Sequence, residues 1–238
     1  TNTITDSSRL STEEDYSAAI YSKEDLIING NGTLNVNAGY RNGIKSTDDC
    51  IIVSGTLNIT STEDGIIGKD LCGVVAGDIN INAGSDGIKS AYDTDTTKGN
   101  VIIEGGNITI KASNDGIQAE NILVINDGTI NIKTNNGAAD TTQTHTDNMY
   151  MGRGGFGFNN NKTTTTTDDT SESRKGIKAG NMLIINDGDI TIDSDDDSVH
   201  CNSEIYIYGG TINAATGDDG VHADDLLTVN GGTINITQ

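Results

Sequence analysis

A repeat of about 22 residues runs through the chain and constrains the fold more than any other feature. Its core is a five-residue phrase: glycine, a small polar residue, an aliphatic residue, Asn or Thr, and usually a second aliphatic residue. Successive copies are separated by 22 or 23 residues, except for two longer intervals of 29 and 60 residues. The copies begin at Gly32, Gly55, Gly77, Gly106, Gly128, Gly188, Gly210 and Gly232.

Two further phrases accompany the first one at nearly constant distances. One reads Asp-Gly-Ile-Lys-Ser in its typical form, and the other is a short aliphatic run that precedes each repeat glycine. Apolar and polar residues alternate with period two, which is typical of strands and not of helices. Each unit is therefore predicted to hold three short strands, with Gly, Asn or Asp at the corners.

Stacking such strands about 4.8 Å apart buries one column of aliphatic side chains per face. The repeat therefore predicts an all-β fold, a right-handed parallel β-helix of about eight rungs with three strands per rung. Propeller units and leucine-rich repeats differ in length or in consensus. We expect a single domain over 1–238, in which an incomplete copy of the second phrase at 19–22 begins the stack. The long intervals predict insertions at about 91–99 and 137–174, leaving the stack at corners.

Charge limits the partners of the chain. Lys and Arg total 14 and Asp and Glu total 35, so the formal net charge is -21. This charge argues against binding to nucleic acid or to anionic membranes, and no apolar run is long enough to predict membrane insertion. The chain starts at Thr1 without a visible leader. We therefore expect the mature part of a secreted or cell-surface protein.

Acidic residues recur at the corner before the second strand of each rung. Stacked carboxylates about 4.8 Å apart repel by about 3–4 kcal/mol per pair at an effective dielectric near 20. They therefore require protonation, a lysine partner or a bound cation. Oxygen ligands from several rungs suit Ca²⁺, and more than one ion is predicted. The alternative is a row of solvated turn residues, because Asp before Gly is common in turns. The candidate metal ligands at this corner are Glu63, Asp64, Asp86, Asp115, Asp196, Asp197, Asp218 and Asp219.

A second acidic set follows the short second strand, and its register varies by a residue or two. An exposed acidic turn and a metal site explain this set equally well. Its members are Asp48, Asp49, Asp70, Glu120, Glu204, Asp224 and Asp225, of which Asp49, Asp70, Glu204 and Asp225 are candidate metal ligands.

Basic side chains form an outward column on the second strand. Next to bound calcium they would hold an acidic sugar, whereas the alternative is simple pairing with the neighbouring carboxylates. The two neighbouring histidines could also bind a transition metal, although two histidines are a weak signal. The candidate ligand-binding residues are Lys45, Lys89, Lys178, His200 and His222.

The first strand carries outward Thr and Asn ladders, which suit a polysaccharide, an ice-binding face or simply a solvated surface. Sugar sites usually contain an aromatic platform, and only Tyr206 and Tyr208 are predicted to lie outward on the third strand. Cys50 and Cys72 are predicted to stack inward as free thiols, although a disulfide between them is geometrically allowed.

The Asp-Gly-(Ile/Val)-(Lys/His)-(Ser/Ala) corner, the Gly-Thr-Ile-Asn strand and the 22-residue rung resemble a family of secreted bacterial carbohydrate-binding β-helix proteins. The resemblance covers about residues 26–237. It implies a pectate-lyase-like fold, calcium bound between rungs, and adherence to cellulose or to acidic polysaccharides such as polygalacturonate. It implies no established lyase activity.

Two functions follow from these patterns. The first is a non-catalytic module that binds calcium and cell-wall polysaccharide. The second is a calcium-dependent lyase acting on uronates, which needs an Arg or Lys base near its metal. Arg41, Arg174 and Lys178 lie nearest the acidic corner and are the candidates for that role.

Overall fold

The computed structural model describes residues 1–7, 17–92, 94–139 and 173–238. Within these ranges the chain forms 25 short strands and no helix. Consequently, none of the described segments is a helix capable of crossing a bilayer. All strand pairs are parallel, and they form three sheets that run the length of the molecule.

The first sheet has nine strands, and the second and third have eight each. The first contains β1 (Asn2–Asp6), β4 (Thr33–Ala38), β7 (Thr56–Ser61), β10 (Asp78–Ala83), β13 (Asn107–Ala112), β16 (Thr129–Thr134), β19 (Asp189–Ser194), β22 (Thr211–Thr216) and β25 (Thr233–Thr237). The second contains β2 (Ala18–Ser22), β5 (Asn42–Ser46), β8 (Ile66–Gly68), β11 (Ile88–Ser90), β14 (Ile117–Ala119), β17 (Ile177–Ala179), β20 (Val199–Cys201) and β23 (Val221–Ala223). The third contains β3 (Leu26–Ile28), β6 (Asp49–Ile52), β9 (Leu71–Val74), β12 (Asn100–Ile103), β15 (Ile122–Ile125), β18 (Met182–Ile185), β21 (Glu204–Ile207) and β24 (Leu226–Val229).

The alternation in the repeat determines which side chains are buried. In β10, Ile79 and Ile81 point into the core, whereas Asp78 and Asn80 are exposed. The same register continues from rung to rung, so Ile79 stacks on Leu57 and on the isoleucine of the next strand. These columns form one continuous hydrophobic core. The architecture confirms the predicted right-handed parallel β-helix with three strands per rung.

Glycine is required at the start of most second-sheet strands because the first sheet lies against it. A Cβ atom on Gly116 would lie 2.4 Å from Cγ2 of Ile132 and 2.5 Å from the carbonyl oxygen of Gly176. One rung has Ser198 at this position, and the first-sheet residue of that rung is Ala214 instead of isoleucine. The larger residue on one sheet is thus matched by a smaller one on the other.

The N-terminal end of the stack differs from the prediction. The copy at 19–22 does begin the second sheet, as part of β2. However, β1 adds a further strand to the first sheet, with Ile4 paired to Val36. The sequence signal is weak because β1 lacks the preceding glycine and is followed by a different spacing.

The predicted insertion at 91–99 occupies the corner between β11 and β12. The other predicted insertion falls largely on 140–172, outside the described residues. Cys50 and Cys72 face each other in register between β6 and β9, and both are buried free thiols. Cys201 is also buried and free.

Candidate functional site

The acidic corner forms a ladder of side chain to backbone hydrogen bonds. The Oδ1 atom of Asp64 accepts the backbone N–H of Asp86 at 3.0 Å, and Oδ1 of Asp86 accepts that of Asp115 at 3.0 Å. Asn42 performs the same role one rung earlier, and Asp197 performs it near the other end. We call these residues the corner ladder. Each of these side chains therefore uses one oxygen to link its rung to the next one.

The second oxygen of the ladder carboxylates is paired with a basic side chain in several rungs. Nζ of Lys89 lies 2.5 Å from Oδ2 of Asp86, and Nζ of Lys178 lies 3.6 Å from Oδ2 of Asp115. Lys45 donates to Oγ of Ser17 at 3.1 Å. Burial lowers the pKa of Lys45, and the nearby carboxylate of Asp64 only partly opposes this shift. Lys89 and Lys178 therefore pair with neighbouring carboxylates, which was the alternative to a role in binding an acidic sugar.

Two ladder carboxylates have pKa values that are shifted in opposite directions. Burial raises the pKa of Asp86 to about 6, with a contribution from the charge of Asp115, although Lys89 opposes the shift. Burial would also raise the pKa of Asp197. There, hydrogen bonds from His200 and Lys175 hold the pKa well below its ordinary value.

Replacing Asp86 with Asn is expected to stabilise the protein at pH 7–8 by about 1 kcal/mol, because the gain from removing a buried charge is partly offset by the loss of the ion pair with Lys89. The folded-state pKa of Asp86 lies above its ordinary value of 3.8, so the cost of burying its charge is complete above pH 6 and disappears as the pH falls towards 4. An Asn side chain keeps the ladder acceptor, as Asn42 does in its own rung. The measurement is urea unfolding of both proteins in chelator between pH 4 and 8.

The matched control is Asp197→Asn, which should be less stable than the wild type at pH 7. The pKa of Asp197 is lowered in the folded state, so its contribution is present above pH 4 and is lost only as the pH falls through the lowered value. If Asp86→Asn is destabilised at every pH, the unfavourable charge inferred for Asp86 is wrong.

Three groups of side chains in the described part of the chain bring three donor atoms within 4.8 Å of one another. They are Asp25, Asp48 and Asp49; Asp196, Asp197 and Asp218; and Asp197, His200 and His222. Asp64, Asp86 and Asp115 do not form such a group among the described residues. Their role as metal ligands stays a prediction. In the structure they accept backbone hydrogen bonds from the following rung.

The remaining acidic candidates have other partners. Nζ of Lys175 lies 2.7 Å from Asp196 and 3.0 Å from Asp197, so a lysine already faces that acidic group. The other contacts are Glu63 with Arg41 at 3.9 Å, Glu204 with the hydroxyl of Tyr206 at 2.7 Å, Asp219 with His222 at 3.1 Å, and Asp225 with the hydroxyl of Ser203 at 2.8 Å.

A further group of acidic side chains lies at the corner before the third sheet. We call Asp25, Asp48, Asp49 and Asp70 the acidic cluster. The pKa of Asp48 is raised because its carboxyl shares a hydrogen bond with Asp70, and burial together with the charge of Asp25 raises that of Asp49. Oδ1 of Asp70 is buried and accepts no hydrogen bond from an N–H or hydroxyl group. Crowded carboxylates supply the oxygen ligands that a hard cation such as Ca²⁺ prefers.

A polar cleft of about 420 Å³ lies beside the 91–99 segment. Its aromatic wall is Tyr92, and the ammonium groups of Lys69 and Lys98 lie 4.7 Å and 4.9 Å from the centre of that ring. Lys98 also forms an ion pair with Asp70 and so connects the cleft to the acidic cluster. The other lining residues are Asp95, Thr96, Glu120, Asn121, Gly180, Asn181 and Asn202.

The cleft wall carries amide groups held in fixed positions. Nδ2 of Asn181 donates to Oδ1 of Asn121 at 2.8 Å, and Nδ2 of Asn121 donates to the carbonyl of Thr96. An aromatic ring beside amides, carboxylates and ammonium groups can stack on a sugar and bind its hydroxyls. The repeat does not reveal this cleft, because Tyr92 and Thr96 lie in an insertion.

The Asn ladder of the first sheet is largely self-satisfied. Nδ2 of Asn58 donates to Asn35 at 2.9 Å, and Nδ2 of Asn80 donates to Asn58 at 3.0 Å. On the third strand, the rings of Tyr206 and Tyr208 are 6.4 Å apart and nearly parallel. These surfaces are less enclosed than the cleft beside Tyr92.

The candidate lyase bases are already engaged. Arg174 forms an ion pair at 2.9 Å with Asp195, whose carboxyl is fully buried. Lys178 faces Asp115 at 3.6 Å and the hydroxyl of Ser173 at 3.2 Å. Arg41 lies over the ring of Tyr40 at 5.5 Å. None of these three residues belongs to the acidic cluster.

Comparison with known proteins gives three matches. A family model described as carbohydrate-binding domain-containing protein matches residues 1–220. A carbohydrate-binding domain-containing protein of Acetivibrio thermocellus is 45% identical over 42 residues, which cover 18% of this chain and 15% of that protein. A solved structure, described as a gadolinium derivative of the polysaccharide lyase-like protein from C. thermocellum, is 35% identical with a TM-score of 0.51. That match covers 52% of this chain and 50% of the other, so the chain spans half or less of both relatives.

Proposed function

Because the chain belongs to the family of carbohydrate-binding domain-containing proteins, we propose that it is a non-catalytic, extracellular β-helix module that binds calcium and adheres to plant cell-wall polysaccharide. The substrate class is cellulose or an acidic polysaccharide such as polygalacturonate. The observation that carries this proposal is the polar cleft at Tyr92, which a lysine joins directly to the acidic cluster.

Calcium is proposed to bind at the acidic cluster. Asp25, Asp48 and Asp49 offer three carboxylate oxygens within 4.8 Å of one another, and Asp70 lies beside them and shares a hydrogen bond with Asp48. Ca²⁺ takes six to eight oxygen ligands in flexible geometry, so carbonyls, waters or a sugar carboxylate would complete its shell.

The proposed polysaccharide site is the cleft. Tyr92 provides a face for a sugar ring, and Lys69 and Lys98 provide positive charge on a surface that is otherwise strongly acidic. A uronate carboxylate bound there would lie close to Lys98 and, through it, to the acidic cluster. The two ammonium groups would attract a uronate against the repulsion of Asp95 and Glu120 in the cleft lining.

Replacing Tyr92 with Ala is expected to weaken binding to polygalacturonate at least tenfold, or about 1.4 kcal/mol, because the stacking surface is lost. The measurement is affinity gel electrophoresis or a pull-down with insoluble polysaccharide, in the presence of Ca²⁺. Tyr208→Ala is the matched control, since Tyr208 is an exposed tyrosine outside the cleft. Loss of binding in Tyr208→Ala with retention in Tyr92→Ala would assign the sugar to the other tyrosine surface.

The second candidate function is a uronate lyase, which the description of the related structure as polysaccharide lyase-like favours. Incubation with polygalacturonate and Ca²⁺ is expected to give no increase in the ultraviolet absorbance of unsaturated product. A steady increase that disappears in Arg174→Ala would replace the binding function with catalysis.

A further inference from the structure

Two histidines occupy neighbouring rungs of the second sheet at a position where three other rungs carry lysine. The register pairs Lys178 with His200, and His200 with His222. Their ring centroids are 4.9 Å apart. His200 faces Asp197 of the corner ladder, and His222 faces Asp219 at the same corner of the next rung, which places imidazole nitrogens beside carboxylate oxygens. Neither the calcium proposal nor the polysaccharide proposal uses this arrangement.

Both ring nitrogens of His222 face carboxylate oxygens. Nδ1 lies 3.1 Å from Oδ2 of Asp219, and Nε2 lies 3.1 Å from Oδ1 of Asp224. A neutral imidazole has one N–H, and the other nitrogen is an acceptor. With a neutral ring, one of these contacts therefore joins a lone pair to a carboxylate oxygen, which is unfavourable unless a cation lies between them.

His200, one rung away, faces one carboxylate and one amide group. Its Nδ1 lies 2.7 Å from Oδ2 of Asp197, and its Nε2 lies 2.9 Å from Oδ1 of Asn202. Protonating His222 alone would satisfy its two carboxylates, whereas protonating both rings would place two positive charges on neighbouring rings. One metal ion bound to both Nδ1 atoms instead leaves each Nε2–H free to donate to its own oxygen acceptor.

The donor spacing fits such an ion. Oδ2 of Asp197 and one nitrogen from each histidine lie within 4.8 Å of one another. Nδ1 of His200 lies 2.7 Å from Asp197, and Nδ1 of His222 lies 3.1 Å from Asp219 and 3.9 Å from Asp197. A tetrahedral ion with bonds of 2.0–2.1 Å holds its ligands about 3.3 Å apart. Small side-chain rotations would therefore bring the donors into coordination distance.

We propose that His200, His222, Asp197 and Asp219 bind one divalent first-row transition-metal ion such as Zn²⁺. Two imidazole nitrogens and two carboxylate oxygens select such ions over Ca²⁺, which prefers oxygen ligands. Asp224 acts as the outer partner that orients the ring of His222.

Access and charge are compatible with this site. The side chain of Asp197 is 4% exposed, whereas that of Asp219 is 55% exposed, so the ion can enter from solvent on one side. Lys175 competes for Asp197 at 3.0 Å, but it also holds Asp196 at 2.7 Å. The lysine therefore keeps an anionic partner when the metal takes Asp197.

The test is titration of the whole protein with Co²⁺ and Zn²⁺ in excess Ca²⁺, which keeps sites for hard cations filled. We expect one equivalent of Co²⁺ with the visible absorption of tetrahedral coordination, and its displacement by Zn²⁺. His200→Lys and His222→Lys should each reduce affinity at least 100-fold. Both variants should fold, because the second sheet accepts lysine at Lys178 in the same column. His145→Gln alters the third histidine, which lies outside the described residues, and should bind like the wild type.

Other results would overturn the proposal. These are absence of Co²⁺ uptake, uptake that is equal in the wild type and in both lysine variants, or loss of binding in His145→Gln. His222→Gln provides a second test with an uncharged side chain, and thermal unfolding of each variant without metal checks that a loss of affinity is not a loss of fold.

Discussion

The Gly116→Ser variant is expected to unfold far more readily than the wild type, with a free energy of unfolding lower by about 3 kcal/mol. A Cβ atom at this position would meet Cγ2 of Ile132 at 2.4 Å and the backbone oxygen of Gly176 at 2.5 Å. Neither neighbour can withdraw easily, because both belong to the packed interior. The measurement is chemical unfolding followed by circular dichroism.

The double variant Gly116→Ser, Ile132→Ala tests the cause of this loss. The chain already contains the compensated form, with Ser198 in the glycine column and Ala214 in the isoleucine column. Ile132→Ala alone should cost about 2–5 kcal/mol through the cavity it leaves. The double variant should therefore lose less than the sum of the two single variants, by about 1–2 kcal/mol.

Gly105→Ser is the control for adding a side chain, because a Cβ there makes only one contact, at 3.5 Å. Its stability should stay close to that of the wild type. Strictly additive losses in the double variant would mean that the clash with Ile132 is not the reason for the glycine column.

Removal of Ca²⁺ is expected to produce the second large effect. With Ca²⁺ at about 1,000 times its Kd, binding to the folded state contributes about 4.1 kcal/mol. For a chain of this size, that corresponds to a fall in Tm of about 8–16 °C when the ion is chelated. The physical reason is that the carboxylates of the acidic cluster repel one another once their counter-charge is gone. Calorimetry with Ca²⁺ and with chelator measures the difference.

Two variants locate the ion. Asp49→Asn should remove most of the Ca²⁺ dependence of Tm, because Asp49 belongs to the acidic cluster. Asp86→Asn should retain it, since the oxygens of Asp86 are bound to Lys89 and to the backbone N–H of Asp115. If Asp86→Asn loses the Ca²⁺ dependence of Tm and Asp49→Asn keeps it, calcium binds at the corner ladder. If the Tm of the wild type does not change when Ca²⁺ is chelated, calcium is not part of the function.

The repeat predicted the fold because its spacing alone determines which side chains become vertical neighbours. The alternation within each strand then placed isoleucines such as Ile79 inside. The sequence also brought His200 beside His222 and Cys50 beside Cys72, as the register shows. Strand β1 was not predicted, because it lacks the glycine phrase that marks all the other strands of the first sheet.

The candidate site was only partly predictable. Asp49 and Asp70 follow from the acidic pattern, but Asp25 precedes the first well-formed copies of the repeat and carries no signal of its own. Nor does spacing reveal the direction of a side chain. The pattern placed Asp64 and Asp86 in one column, yet the hydrogen bond to the next backbone N–H depends on a rotamer that the sequence does not specify. Tyr92 was obscured by its place in an insertion.

The corner ladder has a consequence for how such a molecule can change its length. The ladder oxygen Oδ1 of each side chain accepts a hydrogen bond from the rung that follows it, as Asp64 does from Asp86 and Asp86 does from Asp115. A whole rung can therefore be duplicated or deleted during evolution, and the flanking rungs rejoin with the same bonds. An insertion or deletion of any other length would disrupt the strand pairing between rungs, unless the extra residues form a loop at a corner. The 91–99 segment is such a loop.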